Sequence, residues 1–213
     1  MKNILMLGTS KGSKEIVLEA KNRGYHTIVT DFLEPIESKA KLVSDEYWMV
    51  STSEIDTLEN LCREKKIDGI CNGISPFNIL VTMELTKRLK MPCYCNPDSW
   101  HYTMDKRDFK DACIKNNVPV PKDYYLSEKI SKEDLDAIQY PVVVKAVDQS
   151  ANRGMSYCFS SDEMDEAVKK ARAVSKHKTV VVEKMLRGHE YTAWYALADG
   201  KASLINFAKM YHK

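Results

Sequence analysis

The chain lacks a long apolar run, a charge imbalance and a glycine-rich stretch, and each absence removes a class of function. No hydrophobic segment reaches the length that crosses a bilayer, so no membrane-spanning helix is expected. Acids and bases nearly cancel, at a formal net charge of +2 over 213 residues. Without a basic surplus there is no electrostatic case for a nucleic-acid or membrane-surface partner. Glycine is scarce, eight in all, and no Walker-type phosphate loop or G-x-G-x-x-G fingerprint is present. The six cysteines form no C-x-x-C pair and have no histidine at zinc-ligand spacing. They read as reduced thiols. The opening Met1-Lys2-Asn3 runs straight into an apolar strand rather than a signal peptide, so the expected compartment is the cytoplasm.

What is present is an alternation of strand and helix signals. Ile4 to Leu7 is a short apolar run ending in Gly8-Thr9-Ser10. A helical pattern carrying Ile16, Val17 and Ala20 follows, with Gly24 at its C-terminal end. His26 to Thr30 is the next strand, ending at Asp31. This strand–helix–strand order predicts a parallel sheet. It continues through a strand at Glu46 to Val50, a helix at Thr57 to Lys65, a strand at Asp68 to Cys71 and a helix at Ile79 to Leu89. Cys93 to Cys95 reads as a further short strand, and Asn96-Pro97-Asp98 as a turn. A domain boundary is expected there, dividing the chain into 1–96 and 97–213.

The second half has a different rhythm. Asp105 to Lys115 predicts a helix, Tyr124 to Leu126 a strand and Lys132 to Ile138 a short helix. Pro141 to Val147 and Met155 to Phe159 are strands around the loop Asp148 to Gly154. The apolar stripe Met164, Ala167, Val168, Ala171 and Val174 marks a helix. Thr179 to Glu183 is a strand. Glu190 to Ala198 and Ala202 to Ala208 form a hairpin around Asp199-Gly200.

Four features of this half carry chemistry. Lys106 opens a helix. Lys145 ends the strand run Pro141-Val142-Val143-Val144, where a lysine either meets an anion or extends its ammonium to solvent. The loop residues Ser150, Arg153, Gly154, Met155 and Ser156 are small or polar and lie between two strands, where N–H groups and the arginine suit phosphate oxygens. An ordinary hairpin loop has the same composition. Finally Glu183-Lys184-Met185-Leu186-Arg187-Gly188-His189-Glu190 ends a strand and turns. Its backbone suits the edge of a base, and a carboxylate there is either a ribose acceptor or a surface acid.

As a set, in this order, these features resemble the ATP-grasp superfamily, with the front of carbamoyl phosphate synthetase large-subunit-like ligases as the nearest likeness. The resemblance covers essentially the whole chain and implies an α/β protein: an N-terminal Rossmann-like parallel-sheet domain followed by a partial ATP-grasp α+β domain. It implies that ATP is bound, with Lys106 and Lys145 on phosphates, the Ser150 to Ser156 loop closing over them, Glu183, Lys184 and Leu186 at adenine and Glu190 at ribose. The implied reaction joins a small carboxylate to an amine or ammonia through an acylphosphate. The family's Mg2+ ligands lie on later strands, so they are expected outside these residues, on a continuation of the chain or on a completing second chain. A non-catalytic nucleotide-binding module, a split subunit and a homo-oligomer all fit that implication.

The first loop offers a rival. Gly8-Thr9-Ser10-Lys11-Gly12 follows a strand and opens a helix, and Asp31 ends the next strand. That layout suits a dinucleotide site with Asp31 reading ribose. Under the ATP-grasp resemblance, this loop and Gly73 to Asn78 face the second substrate instead, or Asp31 and Asn78 serve structure alone.

Overall fold

The computed structural model describes residues 1–126, 130–149, 152–176 and 178–211. They form two compact units, Met1–His101 and Tyr102–Lys213.

The first unit contains β1 (Asn3–Leu7), α1 (Ser13–Asn22), β2 (His26–Thr30), β3 (Glu46–Trp48), α2 (Ile55–Glu64), β4 (Ile67–Asn72), α3 (Pro76–Leu89) and the start of α4 (Pro97–Met104). Its four strands are parallel, in the order β3-β2-β1-β4. Such a sheet must be covered on both faces, and the strand sequences show it: alternate residues are apolar in both directions. Leu5, Leu7 and Ile28 pack with Leu58, Cys62, Val81 and Leu85 from α2 and α3. Met6 and Val29 pack with Val17 of α1 and with Ala40 on the other face. The register aligns Leu7 with Thr30 and with Asn72. The loops after β1, β2 and β4 therefore leave the sheet at the same end, where the strand C-termini lie.

The segment Cys93 to Cys95, expected as a strand, forms none. The Tyr94 hydroxyl instead donates to the Asn72 side chain. The expected turn at Asn96 to Asp98 is the start of α4. Asn96 Oδ1 accepts the Ser99 N–H at 2.8 Å, and Pro97 takes the first helical position, where a missing N–H costs nothing.

The second unit continues with α5 (Lys106–Lys115), β5 (Asp123–Tyr124), α6 (Lys132–Asp136), β6 (Val142–Ala146), β7 (Ser156–Cys158), α7 (Met164–Val174), β8 (Val180–Lys184), β9 (Tyr191–Ala198) and β10 (Lys201–Lys209). Asp105 caps α5, accepting the Arg107 N–H at 2.7 Å. An antiparallel sheet runs β5-β8-β6-β7. Strand period 2 sorts its residues. Val142, Val144 and Val182 turn to α7 and pack with Met164, Ala167, Val168 and Ala171. Each fully buried valine contributes about 1.5–3 kcal/mol. Val143, Lys145 and Glu183 turn to the opposite face. The strand that builds the core on one side thus presents a lysine on the other.

β9 and β10 form a separate two-stranded hairpin. Asp199 and Gly200 both have positive φ, 50° and 71°, as a tight hairpin turn requires. Among the described residues no helix is long and apolar enough to cross a membrane.

Candidate nucleotide site

The second unit gathers three lysines and two carboxylates around the outer face of its sheet. Lys106 and Lys110 stand one turn apart on α5 and point the same way. The Lys106 ammonium donates to the backbone carbonyls of Ala146 at 3.1 Å, Val147 at 3.0 Å and Gln149. All three of its N–H bonds are used. Burial and then the neighbouring Lys145 push its pKa down. It ties α5 to the end of β6 and to the first residues of the following loop.

Lys145 donates to Oε2 of Glu183. Lys110 donates to Oε1 of the same carboxylate at 2.8 Å and also to Asp123. Burial works to raise the Glu183 carboxyl, but the hydrogen bonds from Lys110 and Lys145 outweigh it and its pKa is lowered. For Lys110, burial lowers and the two carboxylates raise, with a net rise. The sequence shows Lys110 only as one more helix lysine. Its spacing of one turn from Lys106 does not reveal burial, which depends on Asp123 and Glu183 from separate strands.

Lys106, Lys145, Arg153 and Met155 share one cavity of about 120 Å3, together with Gln149 and Asn152. That volume suits a phosphate end rather than a whole nucleotide, since small-molecule pockets run to about 300–1,000 Å3. A larger cavity of about 300 Å3 lies beside α5, lined by Lys106, Lys110, Asp123, Tyr124 and Val181, and does not include Lys145.

The remaining predicted residues are placed as follows. Ser150 lies outside the described residues. Gly154 sits against α7 with φ +71°; a Cβ there would overlap Val174 Cγ2 and come within 3.2 Å of the Ala171 Cα. It anchors the loop to the helix and does not line the cavity. Ser156 pairs with Val144 in the β6–β7 ladder, so its side chain shares the α7 face, away from Lys145. The Lys184 ammonium donates to the carbonyls of Gln139 at 2.8 Å and Tyr140 at 3.0 Å. Leu186 and Glu190 are exposed. Neither they, nor Glu183, nor Lys184 line the cavity that holds Lys145; Glu183 reaches it through its bond to that lysine. No group of three His, Cys, Asp or Glu among the described residues could hold a metal ion.

In the first unit, the rival residues are consumed by structure. Asp31 is buried and its four acceptor sites are met by Thr9 at 2.7 Å, Ser38 at 3.2 Å, the Leu33 N–H at 2.9 Å and Lys41 at 2.8 Å. Asn78 donates to the Leu7 carbonyl at 3.0 Å, beneath the first loop. Asp31 therefore has no lone pair turned to a ribose, which removes the main support for a dinucleotide site.

A family model described as "Carbamoyl-phosphate synthase L chain, ATP binding domain" matches residues 105–211. Formate-dependent phosphoribosylglycinamide formyltransferase of Prochlorococcus marinus (strain AS9601) is 26% identical over 189 residues, covering 87% of this chain and 48% of that protein. Among solved structures, N5-carboxyaminoimidazole ribonucleotide synthetase from Thermotoga maritima aligns with a TM-score of 0.75 at 22% identity, over 99% of this chain and 54% of that one. The biotin carboxylase domain of Hydrogenobacter thermophilus 2-oxoglutarate carboxylase, solved as a dimer with MgADP and bicarbonate, aligns with a TM-score of 0.77 at 18% identity, over 98% and 50%. At those identities the structures speak for the fold: a parallel four-stranded sheet followed by antiparallel sheets, the ATP-grasp arrangement. The chain spans about half the length of the curated relatives it matches.

Proposed function

Because this chain belongs to the carbamoyl-phosphate synthase L chain ATP-binding family, with its ATP-grasp fold, we propose that it is the nucleotide-binding portion of a ligase that joins a small carboxylate to an amine or ammonia through an acylphosphate. The observation that carries this reading is the shared cavity of Lys106, Lys145 and Arg153, three cations from a helix, a strand and a loop. Glu183 offers a single negative charge to Lys110 and Lys145 together, so Lys106, Lys145 and Arg153 leave the cavity net positive and suited to an anion.

In this reading the phosphates of ATP take Lys106 and Lys145, and the loop residues that line the same cavity, Asn152, Arg153 and Met155, cover them. Lys106 exchanges at least one of its three backbone carbonyls for a phosphate oxygen. Lys145 exchanges Glu183. Both exchanges are charge-assisted bonds replacing existing ones, so they cost little desolvation. Backbone groups from Glu183 to Leu186 face adenine, and Glu190 the ribose. A phosphoryl group transferred to a carboxylate then leaves when nitrogen attacks the acyl carbon.

The relatives' names support the substrate class: one is formate-dependent and another was solved with bicarbonate. A bound Mg2+ would neutralise charge on the transferring phosphoryl group. The described residues offer no cluster of His, Cys, Asp or Glu to hold it. We place the protein in the cytoplasm, where ATP and these substrates are found, as a homo-oligomer or with a completing polypeptide.

The test is a thermal shift with MgATP. A ligand that binds only the folded state stabilises it by about 2.7 kcal/mol at a hundredfold excess over Kd. Lys145→Ala should abolish the shift, and an undiminished shift would count against this pocket. Phosphate release with a panel of small carboxylates and amines then asks whether the chain turns over.

A further inference from the structure

We propose that Lys110 is a positioning residue for nucleotide binding: it holds the Glu183 carboxylate so that Lys145 is free to leave for a phosphate. The inference rests on the proposed ATP site. Lys110 lines a different cavity from the one Lys145 opens on, so it acts through Glu183 rather than on the nucleotide.

The geometry divides the carboxylate between two cations. Oε1 takes Lys110 at 2.8 Å and Oε2 takes Lys145. Glu183 is only 8% exposed and Lys110 only 7%. Lys145 is the more accessible partner, its side chain 29% exposed against 9% for Lys110. Lys110 has a second anchor in Asp123; for the Lys145 ammonium, Glu183 is the only carboxylate within salt-bridge distance among the described residues. The two bonds are therefore unequal. One is fixed by a second carboxylate and deep burial, and the other faces the phosphate cavity.

Breaking a buried ion pair is costly because it strands a charge. If Glu183 had Lys145 alone, each nucleotide-binding event would leave an unpaired buried carboxylate. With Lys110 in place, Glu183 keeps a cation when Lys145 turns to the phosphate. Lys110 thereby lowers the cost of binding without touching the ligand.

A double-mutant cycle on the full chain tests this, read as the Kd for MgATP by calorimetry, with thermal unfolding as the check on folding. Lys110→Met should weaken binding by roughly tenfold or more, within the usual range of coupling between sites. Lys110→Arg, which can still bridge two carboxylates, should retain most of the affinity. Glu183→Gln should restore most of the loss in the Lys110→Met background, a clearly larger factor than its effect in the native background. A plain Coulomb effect would give Glu183→Gln the same factor in both backgrounds, and that result would overturn the proposal, as would a Lys110→Met chain that binds like the native one. Should Lys110→Met not fold, Lys110→Gln, which retains a donor for Glu183, enters the same cycle under the same criteria. If the unsubstituted chain fails to bind MgATP, the proposed function fails and this inference with it. Binding with equal factors sinks the inference alone.

Discussion

The Lys41 ammonium lies 2.8 Å from Oδ1 of Asp31, and the two side chains are 0% and 5% exposed. Lys41 also donates to the Asp31 and Leu33 carbonyls at 2.9 and 2.6 Å. The acid at the end of β2 is thus half of a sealed ion pair that pins the loop after the strand. Asp31→Ala should destabilise the fold by about 3–5 kcal/mol, because it strands a buried cation. Urea unfolding measures this. A variant of native stability that had lost tight NADH binding would instead revive the dinucleotide site.

Lys106 joins α5 to the loop that begins after β6. Lys106→Met removes three bonds to backbone carbonyls at once. Amide exchange around Gln149 and Asn152 should speed up, and MgATP affinity should fall by roughly tenfold or more, a charge-assisted contact having been lost. Unchanged affinity would remove Lys106 from the nucleotide site.

Gly154 is the loop's other anchor. Gly154→Ala places a methyl against Val174 and Ala171 in a backbone conformation that alanine disfavours. Overpacking and strain together should cost about 2–4 kcal/mol. Differential scanning calorimetry should show the loss in Tm. If the variant is as stable as the native chain, the loop is not seated on α7.

Asp45 gives the first unit an acid-sensitive joint. Its pKa is held at about 2, foremost by a hydrogen bond from Lys21, which outweighs burial, and further by the Thr27 backbone and hydroxyl. The folded value lies below the unfolded one, near 3.9. The stabilisation is therefore complete above about pH 4 to 5 and is lost as pH falls toward about 2. It amounts to about 1–2 kcal/mol once partial exposure is allowed for. Asp45→Asn should lower Tm by a few degrees at pH 7. The gap between variant and native chain should close near pH 2. A gap of equal size at both pH values would contradict the linkage.

Most of the fold was legible because its signals are local. The run His26 to Thr30 is a strand over those same residues. Met164, Ala167, Val168 and Ala171 of the α7 stripe pack the core as their spacing predicts, while Val174, in the last turn, stays exposed. Asp199-Gly200 turns the hairpin. Cys93 to Cys95 failed because a strand needs a neighbour to pair with. A short apolar triplet carries no information about whether one is within reach, and here Tyr94 bonds to Asn72 instead.

The site was legible in part. Lys106, Lys145, Arg153 and Met155 were named from the sequence, and they share a cavity. Lys110 was not named, although it stands one turn from Lys106. Nothing in α5 distinguishes a buried lysine from a solvated one. Its partners lie 13 and 73 residues further along the chain.

The sequence by itself determined the order of strands and helices, the two rhythms of its halves and the residue types available to meet ATP. These follow from periodicity, capping and turn chemistry, which act over a few residues. Tertiary structure alone decided which charges are spent and which are available. Asp31 became a structural ion pair, Gly154 a packing contact and Glu183 the shared partner of two lysines. Such assignments depend on burial and on partners brought together from distant segments, and in a low-dielectric interior those two quantities set what a charged side chain can do.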